Sequence, residues 1–376
     1  MRLKAGATLG IDASNIQGGG GGVTHLFELL EHARPDEFGF GKVVVWGGGA
    51  LLKQLPTRDW LTLLPISDDS LSARQLAVWN FKDLRIEFSK QQCNLLFSPG
   101  GTFVSKTIPY VSMSQNMLLF EDVERRRFPY GWNRFRYNVL RLRQSKSFKY
   151  AKGIIFLSNY AKELIQTKLP FCRSLDSRVI YHGVNSRFGD GKGARTEPPF
   201  TFLYVSTVNY YKHQWNVVQA IEELNEEGVR CNLRLVGGSI AKPMLRLEES
   251  LVDSQHATFV GRLEYGEIDQ EYRNADGFVF ASTCENMPNI LVEAMAAGLP
   301  IACSSYGPMR EVANDAALFM DPTDVESIKE SLRQIVVSRQ LRDELAAAAI
   351  QRSQIFTWEQ TADLTFDFFS KCLDAV

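Results

Sequence analysis

Residues 284–300 read CENMPNILVEAMAAGLP. The stretch opens on Glu285, turns through Asn286-Met287-Pro288-Asn289, and runs on as an apolar segment with one embedded acid, Glu293. It stops at Gly298-Leu299-Pro300. Proline favours the first turn of a helix, and glycine followed by proline ends one, so the spelling predicts a helix from about Pro288 to Ala297. Just upstream, Gly277 to Ala281 is short, apolar and rich in β-formers, which predicts a buried strand. The unit is strand, tight loop, helix, with one acid in the loop and one a turn into the helix.

That arrangement has a chemical use. The first N–H groups of a helix lack internal partners and carry partial positive charge, so they suit a phosphate. Glu285 and Glu293 cannot bind phosphate, but they can accept hydrogen bonds from sugar hydroxyls and so flank a sugar phosphate. The same spelling also fits a helix with one capping acid and one solvated acid.

Working outward, 376 residues suffice for two domains with substantial cores. The hydrophobic share, 45%, is that of a globular protein rather than a disordered chain. No apolar run approaches a membrane span. The start, MRLKAGATLGIDAS, has no apolar signal core, so a cytoplasmic chain is expected. Cysteines at 93, 172, 231, 284, 303 and 372 form no Cys-x-x-Cys pair, which predicts reduced, mostly buried thiols and no zinc or redox dithiol site. The net charge of −1 hides an asymmetry: residues 1–188 hold 26 Lys/Arg against 15 Asp/Glu, and residues 189–376 hold 16 against 28. A basic half and an acidic half suggest two domains with different neighbours.

Strand-like and helix-like segments alternate along the chain, which predicts parallel sheets. A first strand, Ala7 to Ile11, leads into glycines 18–22 and a helical run from Val23 to Leu30. Strand, glycine loop and helix can cradle phosphate, because Gly21 and Gly22 allow close backbone approach. Strands follow at Lys42–Trp46, Asn94–Phe97 and Pro109–Met113, with one long helix expected over Leu71–Phe88. Ligands of open α/β sheets bind at the carboxyl ends of strands, which puts Gly100, Gly101, Gln115 and Asn116 on the rim of a crevice. A polar strand end that caps itself reads the same way.

Residues 124–152 hold ten basic residues and one acid. Trp132, Phe135, Val139 and Leu142 recur at helical spacing among Arg134, Arg136, Arg141, Arg143 and Lys146, after Arg125, Arg126 and Arg127. Such a helix suits an anionic membrane surface or, through bidentate arginines, the diphosphate of a lipid-linked acceptor. A core-facing helix with a solvated outer face fits equally. No nucleic-acid-binding motif accompanies the charge. Gly153–Leu157 and Arg178–Tyr181 read as strands, the second ending at His182, and Gly189–Pro199 as a linker. Beyond it, Phe202–Ser206 is a strand followed by Thr207 to Lys212, where a lysine suits a diphosphate as a compact charge. Strands ending at Gly237-Gly238 and at Gly261-Arg262-Leu263 come next. The domains are therefore expected at 1–188 and 189–356, with a final helical segment 357–376.

The segment from Ala281 to Pro300 resembles the Glu-x7-Glu signature of the family 4 retaining glycosyltransferases, of the type that builds bacterial surface polysaccharides. Glu285 and Glu293 fall on its two glutamates, and EAMAAGLP matches its tail. IIFLSNYAKELI and IYHGVNSRF look like the end of the N-terminal domain in that family. The resemblance implies a GT-B fold: two Rossmann-like domains with parallel sheets facing a central cleft, the last helix packing back on the first. It implies a hexosyl transferase that uses a nucleotide-diphosphate sugar, UDP- or GDP-linked, as substrate without a cofactor, and retains anomeric configuration. The acceptor would be a glycan or a polyprenyl-diphosphate-linked glycan, with the enzyme in the cytoplasm or on the inner face of the plasma membrane.

By the same resemblance Lys212 and Glu285 are catalytic: Lys212 holds donor phosphate and Glu285 orients the sugar. Glu293 binds ribose. Asn286, Met287, Pro288 and Asn289 form the helix mouth, Arg262 and Leu263 wall the base, and Gly21 and Gly22 lie near the donor. Gln115, Asn116 and His182 border the acceptor, though relatives often carry a histidine near the Gln115-Asn116 position. Thr207 stands about where they often have an arginine. No Asp-x-Asp occurs, so no bridging metal is expected. Glu285→Ala is expected to lower turnover sharply with little loss of folding. Competing readings are an epimerase of the same fold, a phosphorylase-like enzyme, for which no pyridoxal lysine is apparent, and a non-catalytic nucleotide-sugar-binding subunit.

Overall fold

The computed structural model describes residues 6–16, 20–67, 72–129, 131–189 and 199–374. Gly18, Gly19 and expected linker residues 190–198 lie outside these. The chain divides into two compact units. The first is Met1–Phe120, Tyr130–Gly183 and Thr357–Val376; the second is Glu121–Pro129 and Val184–Phe356. The excursion of Glu121–Pro129 into the second unit was not read from the sequence, and the crossing falls at Gly183/Val184 rather than near residue 188.

Among the described residues the first unit is built on β1 (Ala7–Asp12), β2 (Phe40–Gly48), β3 (Leu61–Ser67), β4 (Leu95–Ser98), β5 (Tyr110–Met113), β6 (Gly153–Phe156) and β7 (Ser177–Val179). They form one parallel sheet in the order β3-β2-β1-β4-β5-β6-β7. Leu9, Ile11, Val43, Val45, Leu96, Phe97, Val111 and Ile154 are essentially fully buried. Strands covered on both faces read as continuous apolar runs rather than alternating ones, which is why the central strands were legible. The expected helix over Leu71–Phe88 runs unbroken from Ala73 to Lys90 with a π-helical turn, Trp79–Asp83, inside it. The last helix, Trp358–Asp374, packs Phe366 and Phe369 against Phe40 and Phe97, with ring centroids 6.1 and 4.9 Å apart.

The second unit is built on β8 (Phe200–Val205), β9 (Cys231–Val236), β10 (Ala257–Gly261), β11 (Gly277–Phe280), β12 (Ile301–Ser304) and β13 (Leu318–Met320). Its parallel sheet runs β10-β9-β8-β11-β12-β13. Helices such as Gln214–Glu226 and Val325–Val337 bury an apolar stripe (Val217, Ile221, Leu224; Ile328, Leu332, Ile335).

Candidate active site

In the second unit the chain runs outward from β8 through β9 to β10, then returns to lay β11 on the other side of β8. A reversal of this kind opens a crevice at the carboxyl ends of the two central strands. The loops leaving β8 and β11 carry Lys212 and Glu285. Lys212 Nζ forms an ion pair with Glu285 Oε1, and both side chains are largely buried, 8% and 15% exposed. Lys212 is therefore not a solvated lysine at a helix start. Ser282 Oγ donates to the same glutamate oxygen, and Lys212 Nζ lies 4.8 Å from the Phe280 ring centre.

The loops are tied together by backbone. Thr283 N donates to Tyr211 O at 2.8 Å, and Tyr204 OH donates to the Lys212 carbonyl. His213 takes a left-handed conformation (φ 48°), starts the next helix and is 3% exposed. Burial lowers its pKa to about 4, helped by Arg127 and Arg246, so it is neutral near pH 7.

Glu293 lies in the helix Asn289–Ala296, which Pro288 starts without any capping side chain or first-turn acid. Tyr272 OH donates to Glu293 Oε2 at 3.0 Å and lies 3.2 Å from the Ile290 carbonyl. Burial raises the pKa of the carboxyl to about 7, against the lowering effects of Tyr272 and Arg187. Asn286, Met287 and Pro288 are buried and Asn289 half-buried. The two glutamates hold different partners: one a cation and a serine, the other a phenol.

The neighbouring strand ends are joined edge to edge. Gly237 N donates to Gly261 O and Val208 N to Gly238 O, both at 2.8 Å. A Cβ at Gly237 would lie 2.2 Å from the Ser206 carbonyl, so only glycine fits that close approach. Thr207 and Arg262 are exposed beside these ends, and Leu263 is half-buried.

In the first unit the reversal falls between β1 and β4. The loops after those strands meet where Asn15 Nδ2 donates to Thr102 Oγ1 at 3.2 Å. Gly20 opens the helix Gly21–Glu31, with Gly21 exposed and Gly22 half-buried. Asp12, at the end of β1, is 1% exposed. It accepts from Trp79 Nε1 at 3.0 Å and from Ser14 N at 3.2 Å, and burial raises its pKa. Asn116 accepts from Leu118 N at 3.1 Å, so this strand end does cap itself; Gln115 stays half-exposed. His182 is interior, 5% exposed, stacked between His25 (4.6 Å) and Trp358 (5.6 Å).

The basic segment is two helices in different units. Asp122–Arg127 belongs to the second unit, with Arg125 paired to Asp122 (2.6 Å) and Arg127 to Glu124 (2.7 Å); Arg126 is exposed. Trp132–Tyr150 belongs to the first. Its apolar spacing does not face the core: Trp132, Phe135, Val139 and Leu142 are all exposed. Arg136 is exposed, while Arg134, Arg141 and Arg143 are half-buried.

Sequence reading missed Ser282, Tyr272, Arg187, Tyr204 and Asp12. Ser282, three residues before Glu285, was findable as a donor in the same loop. Tyr272 reaches Glu293 from a separate helix, and no spacing announces that contact.

The family model described as glycosyl transferases group 1 matches residues 188–352, which take in the strand, loop and helix around Glu285 and Glu293. O-antigen chain mannosyltransferase B of Escherichia coli is 27% identical over 170 residues, which cover 44% of this chain and 45% of that protein. The match thus spans under half of that curated relative. Sucrose-phosphate synthase of Thermosynechococcus elongatus aligns over 98% of this chain and 100% of its own, with a TM-score of 0.74 at 16% identity. HepE of Anabaena, solved with UDP and glucose, aligns over 96% and 99%, with a TM-score of 0.67 at 16% identity. The fold is GT-B, with two parallel-sheet α/β domains.

Proposed function

We propose that the chain is a retaining glycosyltransferase that moves a hexosyl group from a UDP- or GDP-linked sugar to a glycan or polyprenyl-diphosphate-linked acceptor without a bridging metal, working at the cytoplasmic face of a membrane. The observation that carries the reading is the Lys212–Glu285 pair at the β8/β11 reversal. It sets a cation and a carboxylate side by side where the fold binds ligands.

In this reading the donor diphosphate takes Lys212 and the open helix mouth at Asn289. Both balance charge as the sugar–phosphate bond breaks, the largest contribution expected in such a reaction. Glu285 keeps Oε2 for sugar hydroxyls, since its cation and serine partners fall on Oε1. Glu293 accepts from the ribose. The acceptor hydroxyl attacks the face that the diphosphate leaves, and its proton passes to the leaving phosphate oxygen, so no side-chain base is required.

The test is a thermal-shift panel of UDP, GDP, ADP and their sugars, because a ligand that binds only the folded state raises Tm by mass action. A shift with one nucleotide family, abolished in Glu293→Gln and Lys212→Ala, supports the reading and names the donor class. Sugar release without transfer to any acceptor overturns it in favour of an epimerase, and binding with neither release nor transfer overturns it in favour of a non-catalytic subunit.

A further inference from the structure

The helix Trp132–Tyr150 is built with its apolar stripe outward. Trp132, Phe135, Val139 and Leu142 are 74%, 59%, 38% and 64% exposed. Their spacing sets them along one side of the helix, where a globular protein ordinarily turns such residues inward. The Trp132 and Phe135 rings lie 5.7 Å apart.

The core does not need the stripe, because a different side anchors the helix. Tyr110 OH donates to the Ser147 carbonyl at 2.6 Å, Ser112 and Ser147 hydroxyls lie 2.9 Å apart, and Phe148 stacks on Phe120 at 6.3 Å. Gln144, Ser147 and Phe148 are its buried residues.

The helix contains four arginines, two lysines and no acid. Arg136, Lys146 and Lys149 are exposed and Arg143 is half-exposed. By helical spacing Arg136 and Arg143 fall along one border of the stripe and Lys149 along the other.

We propose that this face docks the protein on an anionic lipid bilayer, the aromatic and aliphatic stripe entering the interface and Arg136, Arg143, Lys146 and Lys149 meeting the headgroups. Charge complementarity chooses the occupant. A bilayer interface takes apolar side chains and cations side by side. A nucleic acid would satisfy the cations and leave the stripe in water. A second copy of the helix would bring like charges together. The inference rests on the membrane-face part of the function proposed above and is independent of the donor site.

The experiment is co-sedimentation of the full chain with vesicles of mixed phosphatidylglycerol and phosphatidylcholine, against vesicles of phosphatidylcholine alone. Binding is expected to the anionic vesicles only and to weaken as salt is added. Trp132→Ser/Phe135→Ser/Leu142→Ser should reduce it at least roughly tenfold. Arg136→Gln/Arg143→Gln/Lys146→Gln should reduce it about fivefold for each cation removed. Both variants should keep the parent melting temperature and any nucleotide-induced shift, which separates failure here from failure of the donor reading. Absence of binding by the parent at low salt overturns the proposal, as does equal binding by the serine variant. A dimer that the serine variant dissociates, with no vesicle binding, overturns it by assigning the face to self-association.

Discussion

Lys212 and Glu285 reach each other from loops that follow two adjacent, non-consecutive strands, and each is the other's buried counter-ion. This changes what a substitution there reports. Glu285→Ala leaves a buried ammonium beside Phe280 and costs about 3 kcal/mol of stability, so the expectation of little folding loss does not survive the geometry. Glu285→Gln keeps an acceptor for Lys212. It should lose less Tm than Glu285→Ala while losing roughly 100-fold or more in turnover. The check is unfolding and transfer rate measured together. Glu285→Gln with parental turnover would remove Glu285 from the chemistry.

Glu293 links stability and binding with opposite signs. Its folded carboxyl titrates at about 7, above the ordinary 4.5, because burial disfavours the charge. The folded state therefore holds the extra proton more tightly. The contribution is full below about pH 4.5 and is lost as pH rises through about 7. If Glu293 accepts from ribose hydroxyls as proposed, nucleotide affinity should run the other way, because that acceptor is the carboxylate. A Tm series from about pH 5 to pH 8 should fall in the parent and flatten in Glu293→Gln. Tyr272→Phe removes the phenol that favours the charged form and should shift the binding midpoint to higher pH. An unmoved midpoint would mean that Tyr272 only packs.

The sheets were legible because their strands are buried on both faces and spell unbroken apolar runs, Val43-Val44-Val45 and Phe278-Val279-Phe280 among them. The loop carrying Glu285 was legible because proline and glycine bracket its helix. Other features were settled by tertiary contacts that leave no local trace. Leu61–Ser67 lies beside β2 as an edge strand of half-buried residues with Pro65 inside, a weak pattern for a strand. The Trp132–Leu142 spacing announced a helix correctly but not its orientation, since amphipathicity does not say which side meets water. His182 follows a strand end, and only the structure shows that the rings of His25 and Trp358 lie against it.

Asp12 carries a cost of burial that asparagine would not. Its carboxyl is 1% exposed, accepts from Trp79 and Ser14, and has its pKa raised. A raised carboxyl pKa means that folding is favoured by protonation and disfavoured as pH climbs through the folded value. Asp12→Asn keeps an oxygen for the indole N–H. It should leave stability at neutral pH equal or higher and reduce its slope with pH in the acidic range. Chemical unfolding at several pH values decides it. A clear loss of stability at neutral pH would mean that the charge itself is needed there.

Gly183 lies against the backbone that opens the last helix. A Cβ there would sit 2.3 Å from Trp358 N, 2.6 Å from Thr357 C and 2.7 Å from Trp358 Cα. These are main-chain atoms, so no rotamer change relieves the overlap. The neighbouring chain is also fixed, since Thr361 Oγ1 donates to Tyr181 O at 2.8 Å and the His182 ring stacks on Trp358. Gly183→Ala should therefore destabilise the first unit by about 2 kcal/mol, the scale of overpacking in a close-packed interior. Gly189→Ala is the matched control, because nothing lies within 4 Å of its added Cβ. Urea unfolding of the pair should separate their midpoints, with Gly183→Ala the lower. Equal midpoints would mean that the Trp358 backbone moves freely enough to admit a methyl group, and that the last helix is held by its Phe366 and Phe369 contacts rather than by its start.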